Sequence, residues 1–248
     1  AAAGTIEELR AALARFGGVE PLRARATNIV FADGNPLAGL MLVDTATEPA
    51  DYVPAPLGLH FNRPKDPERA ATFDTALVAR SVIADALGKQ VVASKWSGDI
   101  NIESDSYPRT GSFSWDGTLN IRQATNDSIP RRVSTVVHEV LHSMSTQTPA
   151  AYSDWPSWEE GVAQAMTYLL IPKVAETMGY DGAAILNLVG DEGYTEYTAP
   201  LDAIQKTLGI PAMEFYATLL RTPLSQRPDR VEQWAAEADL APADWAHL

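Results

Sequence analysis

The chain contains no cysteine among its 248 residues. Disulfide bonds and thiolate catalysis are therefore excluded, and a metal site must be built from His, Asp or Glu side chains. Basic residues are also scarce, because 19 Lys and Arg stand against 32 Asp and Glu and the formal net charge is −13. Phosphate groups would be repelled by such a surface, so we expect neither nucleic acid nor an anionic membrane as the main partner.

Long apolar runs are missing as well. No stretch approaches the ~20 residues that a membrane-spanning helix requires. Hydrophobic residues nevertheless make up 46 % of the chain, which is ample for a core. The chain starts at Ala1, with neither an initiator methionine nor the hydrophobic region of a signal peptide. We therefore expect a processed protein or a domain released from a larger precursor, with a location that leans towards secreted. The oligomeric state stays open.

Hydrophobic periodicity predicts an α+β fold in one unit of 248 residues, with a mixed α/β lobe over 1–128 and a helical lobe over 129–248. The first lobe ends in a hairpin, because "SFSW" and "TLNIR" alternate on either side of Asp116-Gly117, a dipeptide suited to a two-residue type I′ turn. Before the hairpin we predict a helix over 5–17, a strand within 37–43, an extended Pro-rich loop over 48–67 and a helix over 68–88.

Two of the four histidines stand four positions apart in "HEVLH", with a glutamate beside the first. A helix places residues i and i+4 on one face, so His138 and His142 can bind the same ion, and Glu139 can act as a general base beside it. Random placement of these residue types gives about 0.004 expected matches to H-E-x-x-H. The alternative is a helix whose histidines lie on a solvated or satisfied face. The back of the helix is an apolar stripe formed by Val133, Val136, Val137, Val140, Leu141 and Met144.

A catalytic zinc ion needs a third protein ligand. Glu159 and Glu160 follow His142 by 17 and 18 residues, within "WEEG". Here the chain resembles the gluzincins, zinc peptidases that combine H-E-x-x-H with a glutamate roughly 18 to 20 positions downstream. In their aminopeptidase branch this glutamate directly precedes a glycine in a W-x-x-E-G-like context, so the resemblance implies Glu160 as the ligand. The alternative is a capping box between Ser157 and Glu160 at the start of a helix.

The same resemblance implies a catalytic tyrosine. In the aminopeptidase branch, a tyrosine that stabilises the oxyanion opens a helix ending in Leu-Gly fifteen positions later. "YTEYTAPLDAIQKTLG" has this spacing, which makes Tyr194 the candidate and Tyr197 the second choice. The alternative is an aromatic side chain that packs a helix start. The chain departs from the family at Gln164, where the thermolysin pattern has Asp, and it lacks a G-x-M-E-N strand. The match covers about residues 130 to 220.

The resemblance implies a zincin-like metallopeptidase that holds Zn²⁺ and hydrolyses peptide bonds in a peptide or protein substrate. One alternative is a non-catalytic zincin-like structural or binding module of a larger phage or toxin protein, with a metal for stability only. Another is zinc-dependent hydrolysis of a non-peptide amide. In zincins an edge strand beside the active-site helix pairs with the extended substrate, and residues 117–122 are a candidate for that strand. The alternative for them is an ordinary sheet strand.

Overall fold

The protein is a mixed α/β structure that is mostly helical and contains small β-sheets. This agrees with the α+β class expected from the sequence. The helix predicted over residues 5–17 lies outside the described part of the chain. The computed structural model describes residues 28–30, 41–43, 52–54, 60–88, 94–189 and 194–239.

Two short antiparallel strand pairs precede the first described helix. β1 (Asn28–Val30) pairs with β2 (Met41–Val43), and β2 falls within the strand predicted over residues 37–43. β3 (Tyr52–Pro54) pairs with β4 (His60–Asn62). The Pro-rich segment is therefore not the single extended loop that its composition predicts. Each of these strands is an edge strand, and an edge strand tolerates proline because one side of it makes no ladder hydrogen bonds.

A three-stranded sheet lies closest to the HEVLH helix. Its strands are β5 (Ile100–Glu103), β6 (Gly111–Phe113) and β7 (Leu119–Arg122), in the order β5-β7-β6. β7 is the central strand, parallel to β5 and antiparallel to β6. The edge-strand hypothesis for residues 117–122 is therefore wrong, because hydrogen bonds occupy both sides of this strand. Among the described strands of this sheet, β5 and β6 are the edge strands, and β6 is the one packed against the HEVLH helix.

The predicted hairpin is present as β6 and β7, but its connection differs from the predicted two-residue turn. The N–H of Gly117 and the N–H of Ser114 donate to the carbonyl oxygens of Ser114 and Thr118, each at 2.9 Å. Gly117 has φ = 92°, whereas Asp116 does not have positive φ. A type I′ turn needs positive φ at both central residues. Three residues therefore lie between Ser114 and Thr118, which pair beyond the ends of the two strands, and the glycine is the third of them.

The remainder of the described chain is helical, as predicted for the second lobe. Among the described helices, none is long and apolar enough to cross a membrane. The short helices α2, α4 and α6 in the list below were not predicted as separate elements. The helices are α1 (Pro67–Leu87), α2 (Gln123–Asn126), α3 (Ile129–Met144), α4 (Pro149–Asp154), α5 (Pro156–Thr177), α6 (Gly182–Val189), α7 (Thr195–Leu208), α8 (Ala212–Arg221), a 3₁₀ turn (Leu224–Gln226) and α9 (Arg227–Glu237).

Helix α3 carries the HEVLH segment and lies at the centre of the fold, packed against α1, α5 and β6. All six side chains of its predicted apolar stripe are completely buried. Burying one such aliphatic side chain stabilises a fold by roughly 1.5–3 kcal/mol. The helix is therefore anchored along its back, and the face that carries the histidines is held in a defined position.

Candidate metal centre

The two histidines of α3 lie side by side, as the i, i+4 spacing predicts. Their ring centroids are 4.6 Å apart and the ring planes are nearly perpendicular. The Nε2 atoms of His138 and His142 are 3.0 Å apart. Both side chains are almost completely buried, at 7 % and 6 % exposure. The interpretation of a solvated histidine face is therefore wrong.

Glu160 reaches the two imidazoles from α5. Its Oε2 atom lies 3.1 Å from Nε2 of His138 and 3.4 Å from Nε2 of His142. Two ligands at about 2.0–2.1 Å from a tetrahedral zinc ion are separated by about 3.3 Å, so the three atoms have the spacing of one face of such a site. This buried His-His-Glu group could hold a metal ion.

The capping-box interpretation of Glu160 is wrong. Helix α5 begins at Pro156, its N-cap is Trp155, and no side chain caps it. Ser157 is therefore already inside the helix and cannot act as the cap residue. The carboxylate of Glu160 is instead directed at the histidines of α3.

The second oxygen of Glu160 has its own partner. The hydroxyl of Tyr152, on α4, donates to Oε1 of Glu160 at 2.6 Å. Burial alone would raise the pKa of Glu160, but the imidazoles of His138 and His142, whose Nε2 atoms face its carboxylate, hold this pKa well below its usual range. Glu160 is therefore a carboxylate at neutral pH, which is the form that binds a metal.

Glu159 does not face the three ligand atoms but lies behind His142. Its Oε1 atom accepts a hydrogen bond from Nδ1 of His142 at 2.9 Å. Its Oε2 atom lies 2.7 Å from Nη2 of Arg227 and accepts a hydrogen bond from Ser145 Oγ at 2.9 Å. Burial opposes ionisation of Glu159, but the bond from His142 and the charge of Arg227 lower its pKa. Glu159 therefore contacts the far side of the His142 ring and is not a member of the group of three that could hold a metal ion.

The other imidazole has no comparable support. Among the described residues, no group makes a hydrogen bond to Nδ1 of His138, although this atom is buried. Gln164 occupies the position where the thermolysin pattern has Asp, and it lines the cleft without a described hydrogen bond to His138. The two imidazoles are therefore held differently, and the anchored one is His142.

Glu139, the candidate general base, lies in the same cleft and is 6 % exposed. Burial raises the pKa of its carboxyl, although the charges of His138 and His142 partly oppose the shift. A carboxyl whose pKa is shifted towards neutral is a better proton acceptor for catalysis than an ordinary glutamate. Its carboxylate accepts a hydrogen bond from the backbone N–H of Phe113, on β6, and has no described hydrogen bond to the two histidines or to Glu160.

Tyr194 immediately precedes α7 and is half-buried against the first histidine. The centroids of its ring and of the His138 ring are 5.3 Å apart. Burial, together with the negative charges of Glu160 and Glu139, raises the pKa of Tyr194 to about 12. The ring centroid of Tyr197 is 6.1 Å from that of Tyr194. Both tyrosines line the cleft, and Tyr194 is the one with a described ring contact to a histidine.

Gly161 explains how α7 comes close enough to bring Tyr194 into the cleft. A Cβ atom at position 161 would lie 2.8 Å from the carbonyl oxygen of Tyr197 and 2.8 Å from Cδ1 of Leu201. Only a residue without a side chain allows this approach of α7 to α5. The glycine of "WEEG" therefore has a packing role directly beside Glu160.

The cleft is an open cavity of about 550 Å³ between β6, α3, α5 and the start of α7. All five site residues predicted from the sequence line it, namely His138, Glu139, His142, Glu160 and Tyr194. The other side chains around the ligands, Tyr152, Ser145 and Arg227, were not predicted. No sequence motif surrounds any of these three residues. Arg227 is also far along the chain from HEVLH, so the sequence alone offered no reason to connect it with the histidines.

Comparisons of the chain with protein-family models, with curated proteins and with solved structures found no match. What the structure supports directly is a buried His-His-Glu group that could hold a metal ion, without identifying that metal. Any more specific function has to be inferred from the chemistry of the cleft.

Proposed function

We propose that the protein is a zinc-dependent metallopeptidase with a zincin-like fold, in which His138, His142 and Glu160 hold the metal. The observation that carries the proposal is the convergence of these three ligand atoms, 3.0–3.4 Å apart, in a cleft that also contains Glu139. The order of elements also supports it. The HEVLH helix lies beside the edge strand β6 and is followed by a helix that supplies the glutamate, as the gluzincin resemblance implies.

Zinc is the metal that best suits this set of ligands. Two imidazole nitrogens and one carboxylate oxygen are ligands of intermediate softness, whereas magnesium and calcium prefer sites made of oxygen alone. The observed set of three ligands is also that of catalytic zinc sites, which keep one coordination position open. A bound Zn²⁺ ion would supply Lewis acidity, which polarises a carbonyl group and makes water a stronger nucleophile at neutral pH.

The other side chains of the cleft have roles that follow from their positions. Glu139 accepts a proton from water as the water oxygen attacks the carbonyl carbon of the substrate. It then returns the proton to the amine nitrogen as the C–N bond breaks. The hydroxyl of Tyr194 donates a hydrogen bond to the carbonyl oxygen as negative charge develops there. The free edge of β6 lies along the same cleft and offers backbone groups to an extended peptide.

A non-catalytic module with a structural metal is less well supported by the same geometry. A structural zinc site is closed by a fourth protein ligand. Among the described residues, the metal-binding group consists of three side chains, and it borders an open cavity. A structural site also gives no reason to place the buried carboxyl of Glu139 in that cavity.

The decisive experiment compares wild-type protein with the Glu139→Gln variant, both loaded with zinc, on casein and on a mixture of quenched fluorescent peptides. Removal of a general base typically lowers the rate by ~10²–10⁴-fold. We expect a loss of this size without loss of zinc. Glu176→Gln is the matched control, because Glu176 is an exposed residue on α5.

Two results would contradict the proposal. One is wild-type turnover by Glu139→Gln, and the other is the failure of zinc-loaded wild-type protein to cleave any peptide. If cleavage is confined to non-peptide amides, the catalytic residues keep their roles but the substrate class is wrong.

A further inference from the structure

We propose that Glu159 and Arg227 are positioning residues of the metal centre, which hold the imidazole of His142 with Nε2 directed at the ion. Helix α9, which begins at Arg227, would thereby be part of the metal site although it supplies no ligand. This inference rests on the metal site of the proposed function, but it does not depend on peptide hydrolysis.

The first step is the hydrogen bond between His142 and Glu159. The distance from Nδ1 to Oε1 is 2.9 Å, and Glu159 is completely buried. A carboxylate is only an acceptor, so the proton of this bond resides on the imidazole at Nδ1. In neutral imidazole this leaves the lone pair on Nε2, the atom that faces His138 and Glu160. Glu159 therefore selects the tautomer that a metal ligand requires.

The second step is the ion pair that keeps Glu159 charged. A buried carboxylate is costly unless opposite charge and hydrogen bonds compensate it. Arg227, also completely buried, supplies the charge through Nη2 at 2.7 Å. Ser145 links the two side chains, because its Oγ donates to Glu159 at 2.9 Å and accepts from Arg227 at 3.0 Å.

The third step is the fixed position of Arg227. Its Nη1 donates to the carbonyl oxygen of Trp158 at 3.1 Å, and its Nε donates to that of Thr222 at 3.4 Å. The guanidinium thus binds the residue that precedes Glu159 as well as Glu159 itself. A planar fork held at several points is more rigid than an ammonium group on a flexible chain. The position of Glu159 is consequently determined by α9.

The fourth step is the difference between the two histidines. Among the described residues, Nδ1 of His138 is buried without a hydrogen-bond partner. Partners of the non-ligating imidazole nitrogen commonly contribute 10–100-fold to metal affinity, as an order of magnitude. In this site the whole of that contribution falls on His142, so the site is unusually dependent on the Glu159–Arg227 pair.

The test measures zinc affinity by competition with a chelator, which does not require any enzymatic activity. Glu159→Gln keeps the size of the side chain but removes its charge. The double variant Glu159→Leu/Arg227→Met removes both charges together, so neither is left buried and unpaired. The matched control is Arg63→Met/Asp74→Leu, because Arg63 and Asp74 form an exposed ion pair at 2.7 Å. Circular dichroism establishes that each variant is folded.

We expect zinc affinity to fall by roughly 10–100-fold in Glu159→Gln and in the double variant, and to stay within about twofold in the control. Proton NMR of the zinc-loaded wild type should show a low-field Nδ1–H resonance of His142. This signal should be lost in the double variant and should stay unchanged in the Arg63→Met/Asp74→Leu control. If the double variant does not fold, Glu159→Gln alone decides the result.

Unchanged zinc affinity in folded Glu159→Gln would overturn this inference and leave the proposed function intact. Failure of the wild-type protein to bind zinc would overturn both. A fall in zinc affinity of the expected size, in a protein whose zinc-loaded wild type cleaves no peptide, would separate them in the other direction, because the positioning role would stand while the catalytic proposal would not.

Discussion

The hydroxyl of Tyr152 donates to Oε1 of Glu160 at 2.6 Å, while Oε2 of the same carboxylate faces the two histidines. In the described part of the chain, Glu160 is the one member of the His-His-Glu group outside α3, and a side chain of the short helix α4 holds its carboxylate. A carboxylate ligand that loses such a partner can rotate away from its metal, which weakens binding.

We therefore predict that Tyr152→Phe lowers zinc affinity by roughly 10-fold, since only one outer hydrogen bond is removed. The measurement is chelator competition on folded protein. Tyr216→Phe is a suitable control, because the hydroxyl of Tyr216 donates to the carboxylate of Asp202, away from the cleft. Equal affinity in Tyr152→Phe and wild type would mean that Glu160 is held by its helix alone.

A second prediction concerns the number of ions and the identity of the third ligand. Metal analysis after gentle purification should give about one zinc ion per chain, because one group of three ligands is described. Glu160→Gln should reduce this ratio strongly, whereas Glu176→Gln should not. If Glu160→Gln retained zinc and Glu159→Gln lost it completely, Glu159 would be the ligand and the present assignment would be reversed.

A third prediction tests the oxyanion donor. Tyr194→Phe should lower kcat by roughly 10²–10³-fold with little change in KM, because the hydroxyl acts chiefly on the transition state. Tyr197→Phe should have a milder effect, since the described ring contact with His138 is made by Tyr194. Steady-state kinetics on one fluorescent peptide measures both variants. A larger loss of kcat in Tyr197→Phe would mean that Tyr197, and not Tyr194, donates to the oxyanion.

The pH dependence of that loss follows from the pKa of Tyr194. Burial, with the charges of Glu160 and Glu139, raises this pKa to about 12, so the phenol keeps its proton far above neutral pH. The ratio of wild-type to Tyr194→Phe activity should therefore stay constant from about pH 7 to about pH 10, where a tyrosine with the unperturbed pKa of about 10 would already be half ionised. A ratio that shrinks towards alkaline pH would indicate that the hydroxyl ionises in this range.

A fourth prediction concerns the packing of α7 on α5. Replacing glycine by alanine inside an unhindered helix stabilises a protein by about 1 kcal/mol. At Gly161 the new Cβ would lie 2.8 Å from the backbone oxygen of Tyr197, so we expect Gly161→Ala to lower the free energy of unfolding instead. Because α7 must shift, kcat should fall while zinc affinity changes little. A stabilised and fully active variant would show that this contact is not restrictive; denaturant unfolding and kinetics together decide.

The HEVLH helix illustrates what can be predicted from local sequence. The period of 3.6 residues places His138 and His142 on one face and the apolar stripe on the other, and the structure contains both. The prediction succeeded because both features depend on positions within a single helix. The structure also brings Glu160 together with the two histidines, as its spacing from His142 predicts. One short connection and α4 separate the two helices and leave few ways to pack them.

The hairpin shows where local pattern was insufficient. Asp116-Gly117 correctly marked a turn, but the number of turn residues depends on the backbone angle of Asp116 and on the pairing of Ser114 with Thr118. The position of β7 in the centre of the sheet depends on β5, with which it pairs in parallel from an earlier part of the chain. Neither property is encoded in the alternation of the two hairpin strands alone.

The sequence by itself determined the chemistry of this protein's candidate site: no thiols, two histidines on one helical face, an adjacent glutamate and a second acidic pair downstream. These follow from residue type and helical period, which act within a few residues. Only the tertiary structure decided which of Glu159 and Glu160 faces the ligand atoms, which histidine is anchored, and that Arg227 and Tyr152 support the site. Those outcomes depend on how α4, α5 and α9 pack around α3. Packing brings together residues that are far apart along the chain, and no periodic pattern in the sequence connects such residues.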